Sequence, residues 1–360
     1  MPKGEYLQYG GQAIIEGVMM RSPNYFSVAC RAPNGEIVQK TEHLEKTWIG
    51  RQKWLKLPFL RGTLGILDAM ALGIRAMRFA TKIHMDPQYA KEEDKPAEVV
   101  VGPEVATIGN VVPAGAVQPM SRTKKNIQDV AVAGTMILSL AMAWFLFNML
   151  PNILAEQLRF AGIKSGTAIN AVTETIKGVF IFGYILLISR YRPIQELFEY
   201  HGAEHKAINT LEANQDLTIA NCMLQTRLHP RCGTSFIVIV FIIGFIISTV
   251  TPRYLITGGQ GNIILDILGR QLIELVVLTP IIAGVSYELI RFAGKFRNSG
   301  LVNLLFKPGL MTQLITTREP NEGQVEVALA ALQAVVDAEA GAIRENEEPT
   351  ASHEAAAAIS

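Results

Sequence analysis

The sequence predicts a mainly α-helical, multi-pass membrane protein with about four spans and a small cytosolic N-terminal part that contains a β-hairpin. Charged residues make up only 18% of the chain and hydrophobic residues 49%, whereas ordinary soluble domains carry roughly 25% charged residues. The apolar residues are also gathered into runs of membrane-spanning length. A net charge of +1 gives no bulk attraction for nucleic acid, so nucleic acid is not expected as a partner.

The predicted hairpin lies in the N-terminal part, residues 1–85. Tyr25 to Ala32 has the composition of a strand, and Glu36 to Thr41 returns as a second strand. Between them, Asn34-Gly35 supplies the positive φ values of a tight turn. Because two strands alone are marginally stable, we expect this hairpin to pack on another element.

A glycine-rich stretch at residues 10–22 precedes the hairpin. Its paired glycines can take positive φ or allow a close approach of the backbone. We interpret the stretch as a turn that leads into a strand. The alternative is a loop that contributes Glu16 and Arg21 to a site.

Leu60 to Ala80 is a helical stretch that is unlike the spans. Its charges at Asp68, Arg75 and Arg78 favour an amphipathic helix at the membrane surface. Residues 86–121 contain several prolines, a charged run and little periodicity, which predicts a flexible linker.

The membrane domain is predicted at residues 122–298. Its four apolar segments are Val130 to Leu150, Ala171 to Tyr191, Ser235 to Val250, and Leu272 to Phe292. Glu174 and Lys177 weaken the second segment, so we expect them near the outer interface. The predicted loop at 192–234 connects the second and third segments.

Basic residues orient these spans. Four clusters fall on one side of a four-span topology: Lys124-Lys125, Arg190 with Arg192, Arg227 with Arg231, and Arg291 with Lys295 and Arg297. The positive-inside rule makes that side the cytosol. The sequence therefore predicts a cell-membrane protein with the loop at 192–234 and both termini in the cytosol.

The C-terminal part continues after the last span. Residues 299–340 are predicted to form interfacial and amphipathic helices, because Val325, Leu329, Leu332 and Val336 recur at helical spacing. Residues 341–360 are predicted to be a disordered or weakly helical tail.

Residues in the loop at 192–234 form the candidate functional site. His201 and His205 are four residues apart, so a helix places both imidazoles on one face where they can share a metal ion. Glu204 lies beside them and can act as a general base. His-x-x-Glu-His is also the inverted zinc-peptidase signature.

Further ligands must come from elsewhere in the chain. Glu212 lies seven residues beyond His205, about 10 Å of helical rise, which is too far to share an ion with it. His229 and Cys232 are better candidates, because a chain reversal can bring them back. An odd count of three cysteines favours reduced thiols, and the resulting set of three nitrogens and one sulfur suits zinc or a similar divalent metal.

Other interpretations of these residues remain open. The histidines can be interfacial polar groups, and Cys232 can be a small packing residue at a helix start. Four protein ligands would make a structural metal site, whereas three plus water would make a catalytic one. The spacing does not decide between them.

Four motifs together resemble the DUF1385 family. They are Gly-Gly-Gln-Ala-Ile-Ile-Glu-Gly-Val-Met-Met-Arg-Ser-Pro at 10–23, His-Gly-Ala-Glu-His-Lys at 201–206, His-Pro-Arg-Cys-Gly-Thr-Ser-Phe at 229–236, and Tyr-Glu-Leu-Ile-Arg at 287–291. The resemblance implies a multi-pass membrane protein and a predicted metal-dependent enzyme. It implies no substrate.

Two classes of function are expected. The first is a membrane-embedded metal-dependent hydrolase at the cytosolic face, with Glu204 as the base. The alternative is a non-enzymatic assembly or scaffold protein with a structural metal. Membrane lipid is the expected partner in both, with other membrane proteins or a second copy of the chain as further candidates.

Overall fold

The computed structural model describes residues 9–44, 60–90, 134–135, 137–230, 232–258, 262–295 and 300–357. Its helices are α1 (Leu60–Met85), α2 (Ile137–Arg159), α3 (Gly166–Ile188), α4 (Arg192–Glu212), α5 (Ile219–Leu224), α6 (Gly233–Val250), α7 (Ile263–Ile273, continuing through Glu274–Leu278 and Thr279–Lys295), α8 (Gly300–Thr316) and α9 (Glu322–Ala357). A small N-terminal sheet completes the fold.

The sheet is antiparallel and its strands follow chain order: β1 (Gly10–Ile14), β2 (Gly17–Arg21), β3 (Tyr25–Arg31) and β4 (Ile37–His43). The predicted hairpin is confirmed as β3 and β4, and Gly35 takes the positive φ of 92° that its turn requires. The glycine-rich stretch forms a complete second hairpin, which the sequence analysis reduced to one strand.

Both faces of the sheet are covered by helices. Val18 and Met20 pack with α4 and α9, whereas Met19 and Val28 pack with α1 on the opposite face. Because β2 is buried on both sides, its sequence is a continuous apolar run without the alternation of a half-exposed strand. The sheet therefore joins the helix that carries the histidines to α1.

Four described helices are long and apolar enough to cross a membrane: Ile137–Arg159, Gly166–Ile188, Gly233–Val250 and Ile263–Leu289. The predicted number of spans is confirmed, although residues 130–133 of the first prediction lie outside the described residues. The first helix extends beyond the predicted end at Leu150, and the fourth begins before the predicted start at Leu272, so that both include charged residues outside the predicted segments. Those charges pair with one another, since Arg159 Nη1 donates to Glu156 and Asp266 over 2.8 Å each.

Glu174 and Lys177 belong to a second set of buried charges, and their expected depth near the outer interface stays a prediction. Lys177 Nζ lies 3.0 Å from Glu174 and 2.8 Å from Glu274, and Arg270 Nε lies 2.8 Å from Glu274. All four side chains are buried. They face the neighbouring helix inside the bundle, because paired charges are tolerated there.

Beyond the spans, α9 is amphipathic as expected and buries Val325 and Leu332 against the sheet. The helix continues to Ala357, whereas a disordered or weakly helical tail was predicted from residue 341. Pro87–Tyr89 forms a short 3-10 helix at the start of the predicted linker. Residues 91–121 lie outside the described residues.

Candidate metal centre

Helix α4 positions His201, Glu204 and His205. The helix begins with a proline in its first turn, where the missing N–H has no partner to lose. One face packs Tyr200, Ala203 and other apolar residues against the sheet. That anchoring fixes the rotation of the helix and hence the direction of its histidines.

A glycine lets the chain after α8 approach α4 closely. A Cβ at Gly202 would lie 2.1 Å from the carbonyl oxygen of Arg318. Thr316, the last residue of α8, contributes its backbone carbonyl, whose oxygen is 2.8 Å from His201 Nδ1. Gly202 in the His-Gly-Ala-Glu-His stretch therefore has a packing role that supports the site.

Both imidazoles bind backbone carbonyls through Nδ1. His201 donates to Thr316, and His205 donates to Arg227 over 2.6 Å. A carbonyl can only accept, so Nδ1 carries the proton in each ring and Nε2 keeps its lone pair. Metal-ligating histidines are oriented in this way by their second nitrogen.

The sulfur of Cys232 lies close to these two Nε2 atoms. Its Sγ lies 3.2 Å from His201 Nε2, and one ligand atom from each of His201, His205 and Cys232 lies within 4.8 Å of the others. His205 Nε2 is buried and has no hydrogen-bond partner among the described residues. Cys232 is the N-cap residue of α6 and accepts from Thr234 N.

His229 lies beside these three residues. Its ring centroid is 5.7 Å from that of His205, and its Nε2 is 3.3 Å from Glu212 Oε1. Gln313 holds the backbone of His229 by accepting from its N–H and donating to its carbonyl, both over 2.8 Å. The sequence analysis judged Glu212 too distant from His205 and did not foresee that it contacts His229.

Glu204 is buried and faces the sheet. The backbone N–H of Gly11 acts to lower the pKa of this carboxyl group, against the larger effect of burial. A Cβ at Gly11 would lie 2.6 Å from the carbonyl oxygen of Met19 and 3.0 Å from the carboxyl carbon of Glu204. The second glycine of the Gly-Gly-Gln stretch therefore leaves the space that the carboxyl group of Glu204 occupies.

The electrostatics favour the neutral forms of His205 and His229. Burial lowers the pKa of His205, although the neighbouring Cys232 opposes this, and burial also lowers the pKa of His229. Burial raises the pKa of Glu204, while His201 and His229 act in the opposite direction. Neutral imidazoles are the form that binds metal.

The predicted hairpin-loop residues lie away from this cluster. Glu16, at a turn position with a φ of 50°, accepts a hydrogen bond from Tyr200 over 3.0 Å. Arg21 pairs with Asp68 of α1 over 3.0 Å. Both connect the sheet to neighbouring helices.

The donor set fits a zinc ion. Two imidazole nitrogens and one thiolate sulfur are ligands that zinc prefers. The buried Nε2 of His205 also needs a partner, because an unpaired buried polar atom costs free energy. Sequence reasoning missed Gly11, Gln313 and the two carbonyl acceptors, since backbone contacts leave no motif of their own.

Comparison with known proteins adds family relationships. A family profile described as "Protein of unknown function (DUF1385)" matches residues 57–338. The chain is 32% identical over 340 residues to "Uncharacterized protein YqhQ" of Bacillus subtilis strain 168, an alignment that covers 92% of this chain and 93% of that protein. No solved structure matches the chain significantly.

Proposed function

We propose, starting from the fact that the chain belongs to the DUF1385 family, that it is a metal-dependent enzyme at the cytosolic face of the cell membrane. Zinc or a similar divalent ion would be held by His201, His205 and Cys232. The observation that carries the proposal is the cluster in which one ligand atom each of His201, His205 and Cys232 lies within 4.8 Å of the others, and in which the buried Nε2 of His205 has no geometric hydrogen-bond partner among the described residues. The reaction class is hydrolysis.

Each residue has a role in this proposal. A bound zinc ion supplies Lewis acidity, which polarises a carbonyl or phosphoryl oxygen and makes water more nucleophilic. Glu204 takes the proton of the attacking water at its carboxylate, for which its raised pKa is suited. His229 is either a fourth ligand or, through its contact with Glu212, a positioning residue.

Metal content is the first test. We expect about one zinc ion per purified chain by mass spectrometry of the metal. His201→Ala, His205→Ala and Cys232→Ser should each lower it severalfold. His43→Ala and Cys222→Ser are matched controls outside the cluster and should retain it. Unchanged metal content in the double variant His201→Ala/His205→Ala would end the proposal.

Glu204 separates an enzyme from the second candidate, a scaffold protein with a structural metal. The scaffold candidate is favoured by one observation: the three donors join α4 to the first residues of α6, which Cys232 caps. In an enzyme, Glu204→Gln should keep metal and protein level but abolish complementation of a deletion strain. The amide retains the shape of the side chain but cannot take a proton.

A structural site predicts the opposite pattern. Glu204→Gln should then complement, whereas Cys232→Ser and His229→Ala should lower protein abundance because a closed site contributes folding free energy. Glu326→Gln, an exposed change of the same chemistry on α9, is the control in both cases. Full complementation by Glu204→Gln at normal abundance would exclude Glu204 as the base.

A further inference from the structure

An apolar groove runs along α1 where the helix meets β1. Its volume is about 840 Å³, within the range of small-molecule sites. Met70, Ile74 and Met77 of α1 line it and are 57%, 52% and 40% exposed. Phe236, four residues after Cys232 in α6, also lines the groove.

The groove is bounded by a close helix–strand contact. Gln12 of β1 donates to the carbonyl of Ala69 over 3.3 Å, and a Cβ at Gly73 would lie 2.4 Å from Gln12 Oε1. The α1 residues that line the groove extend from Ala69 to Lys82, about 20 Å along the helix axis. An extended acyl chain matches this length and the apolar lining.

One end of the groove is cationic. Arg78 and Lys82 line both the groove and an adjoining pocket of about 470 Å³, whose other charged residues are the bases Lys40 and Arg75 and the acids Glu42 and Asp86. Lys40 and Arg75 already pair with Glu42. Within the described residues, no ion pair involves Arg78 or Lys82.

We infer that this groove binds one anionic phospholipid, with an acyl chain on Met70, Ile74 and Met77 and the phosphate at Arg78 and Lys82. An apolar helix face alone would suit a bilayer surface equally well. The strand wall and the free cations at one end fit a single amphiphile with an acidic headgroup. Phe236 lies in the first turn of a candidate span, so the groove lies near the level of the membrane surface.

The test is lipid retention by the full-length protein in dodecyl maltoside, followed by native mass spectrometry. The probes are palmitoyl-oleoyl phosphatidylglycerol and the matching phosphatidylcholine. We expect one phosphatidylglycerol per chain, bound about tenfold more tightly than phosphatidylcholine. Arg78→Gln/Lys82→Gln should remove this preference, because two exposed ion pairs together contribute about tenfold in affinity.

Two further variants make the result specific. Ile74→Gln/Met77→Gln changes only exposed side chains and should weaken both lipids severalfold with an unchanged melting temperature. Lys164→Gln/Arg190→Gln also removes two positive charges, but outside the groove, and should bind both lipids as the parent protein does. His201→Ala should also bind lipid normally, which separates this site from the metal proposal.

Three outcomes would overturn the inference. The first is equal binding of phosphatidylglycerol and phosphatidylcholine, which indicates unspecific solvation by lipid. The second is an equal loss in the Lys164→Gln/Arg190→Gln control, which indicates bulk electrostatics. The third is displacement of the lipid by glycerol phosphate alone at similar concentration, which indicates a phosphate site without an acyl chain.

Discussion

Single hydrogen bonds decide what the two imidazoles of α4 can do. The carbonyls of Thr316 and Arg227 each take an Nδ1 proton, so both Nε2 lone pairs are directed away from the backbone. One of them faces Cys232 Sγ, and the other has no hydrogen-bond partner among the described residues. A carbonyl thus selects the ring nitrogen that is free for a ligand.

Gly11 gives a prediction at the same scale. Gly11→Ala should destabilise the protein by about 1–3 kcal/mol, because overpacking displaces neighbouring atoms. The added methyl would meet the Met19 carbonyl at 2.6 Å and the Glu204 carboxyl carbon at 3.0 Å. Thermal unfolding in detergent and protein abundance are the measurements.

Gly10→Ala is the matched control for this prediction. Nothing lies within 4 Å of a Cβ at Gly10, so this change should be nearly neutral. Equal melting temperatures for the two variants would show that the close approach at Gly11 is not important for stability.

Sequence could predict some of these residues and not others. His201, Glu204 and His205 could be predicted because their helical spacing is a local property. Cys232 could be predicted because few residue types bind metal well. The contact of Gly11 with Glu204 could not be predicted, since it depends on how β1 docks on α4, which no local pattern encodes.

At the scale of elements, paired charges explain why helix boundaries differ from those predicted. A hydropathy pattern favours segments without charge, because an unpaired charge in a membrane is costly. Glu156 instead pairs with Arg253 over 2.7 Å, and Glu274 pairs with Lys177 and Arg270. The number of spans follows from composition, whereas their ends depend on partners far along the chain.

Lys177 provides the prediction at this scale. Lys177→Met should destabilise the helix bundle by about 3–5 kcal/mol, because removing one member of a buried pair leaves the other charge uncompensated. Glu174 and Glu274 would lose their shared cation. The measurements are the melting temperature of the protein in detergent and the resistance of its folded fraction to proteolysis.

Two variants control this prediction. Lys164→Met, at an exposed position before α3, should change stability by less than about 0.5 kcal/mol. The double variant Lys177→Met/Glu174→Gln should recover part of the loss, since it removes a charge of each sign and leaves Glu274 paired with Arg270. A Lys177→Met protein that melts with the parent would show that these charges remain hydrated.

In the whole molecule, the candidate metal centre lies where the two parts of the fold meet. The sheet with α4 and α9 supplies His201, His205 and Glu204, whereas the start of α6 supplies Cys232. Gln313 of α8 holds the segment that leads into α6 by binding both the His229 backbone and Ser235, the latter over 2.8 Å. A site made in this way depends on the orientation of the spans, because the sheet, α4 and Cys232 must all lie on one side of the membrane.

Orientation is therefore the last prediction. Single cysteines at Phe160 and Leu255, which are 73% and 64% exposed, should react with an impermeant maleimide in intact cells. A cysteine at Ala213, exposed after α4, should react only after permeabilisation. Arg190, Arg192 and Arg227 lie on the Ala213 side, and basic residues favour the cytosol.

The native cysteines give a low background in this experiment, since Cys30 and Cys222 are fully buried and Cys232 is 8% exposed. The parent protein without added cysteines is the control. Labelling of Ala213→Cys in intact cells would place the cluster outside the cell. Cys232 would then lie in an oxidising compartment, where a free thiolate ligand is no longer maintained by the reducing cytosol.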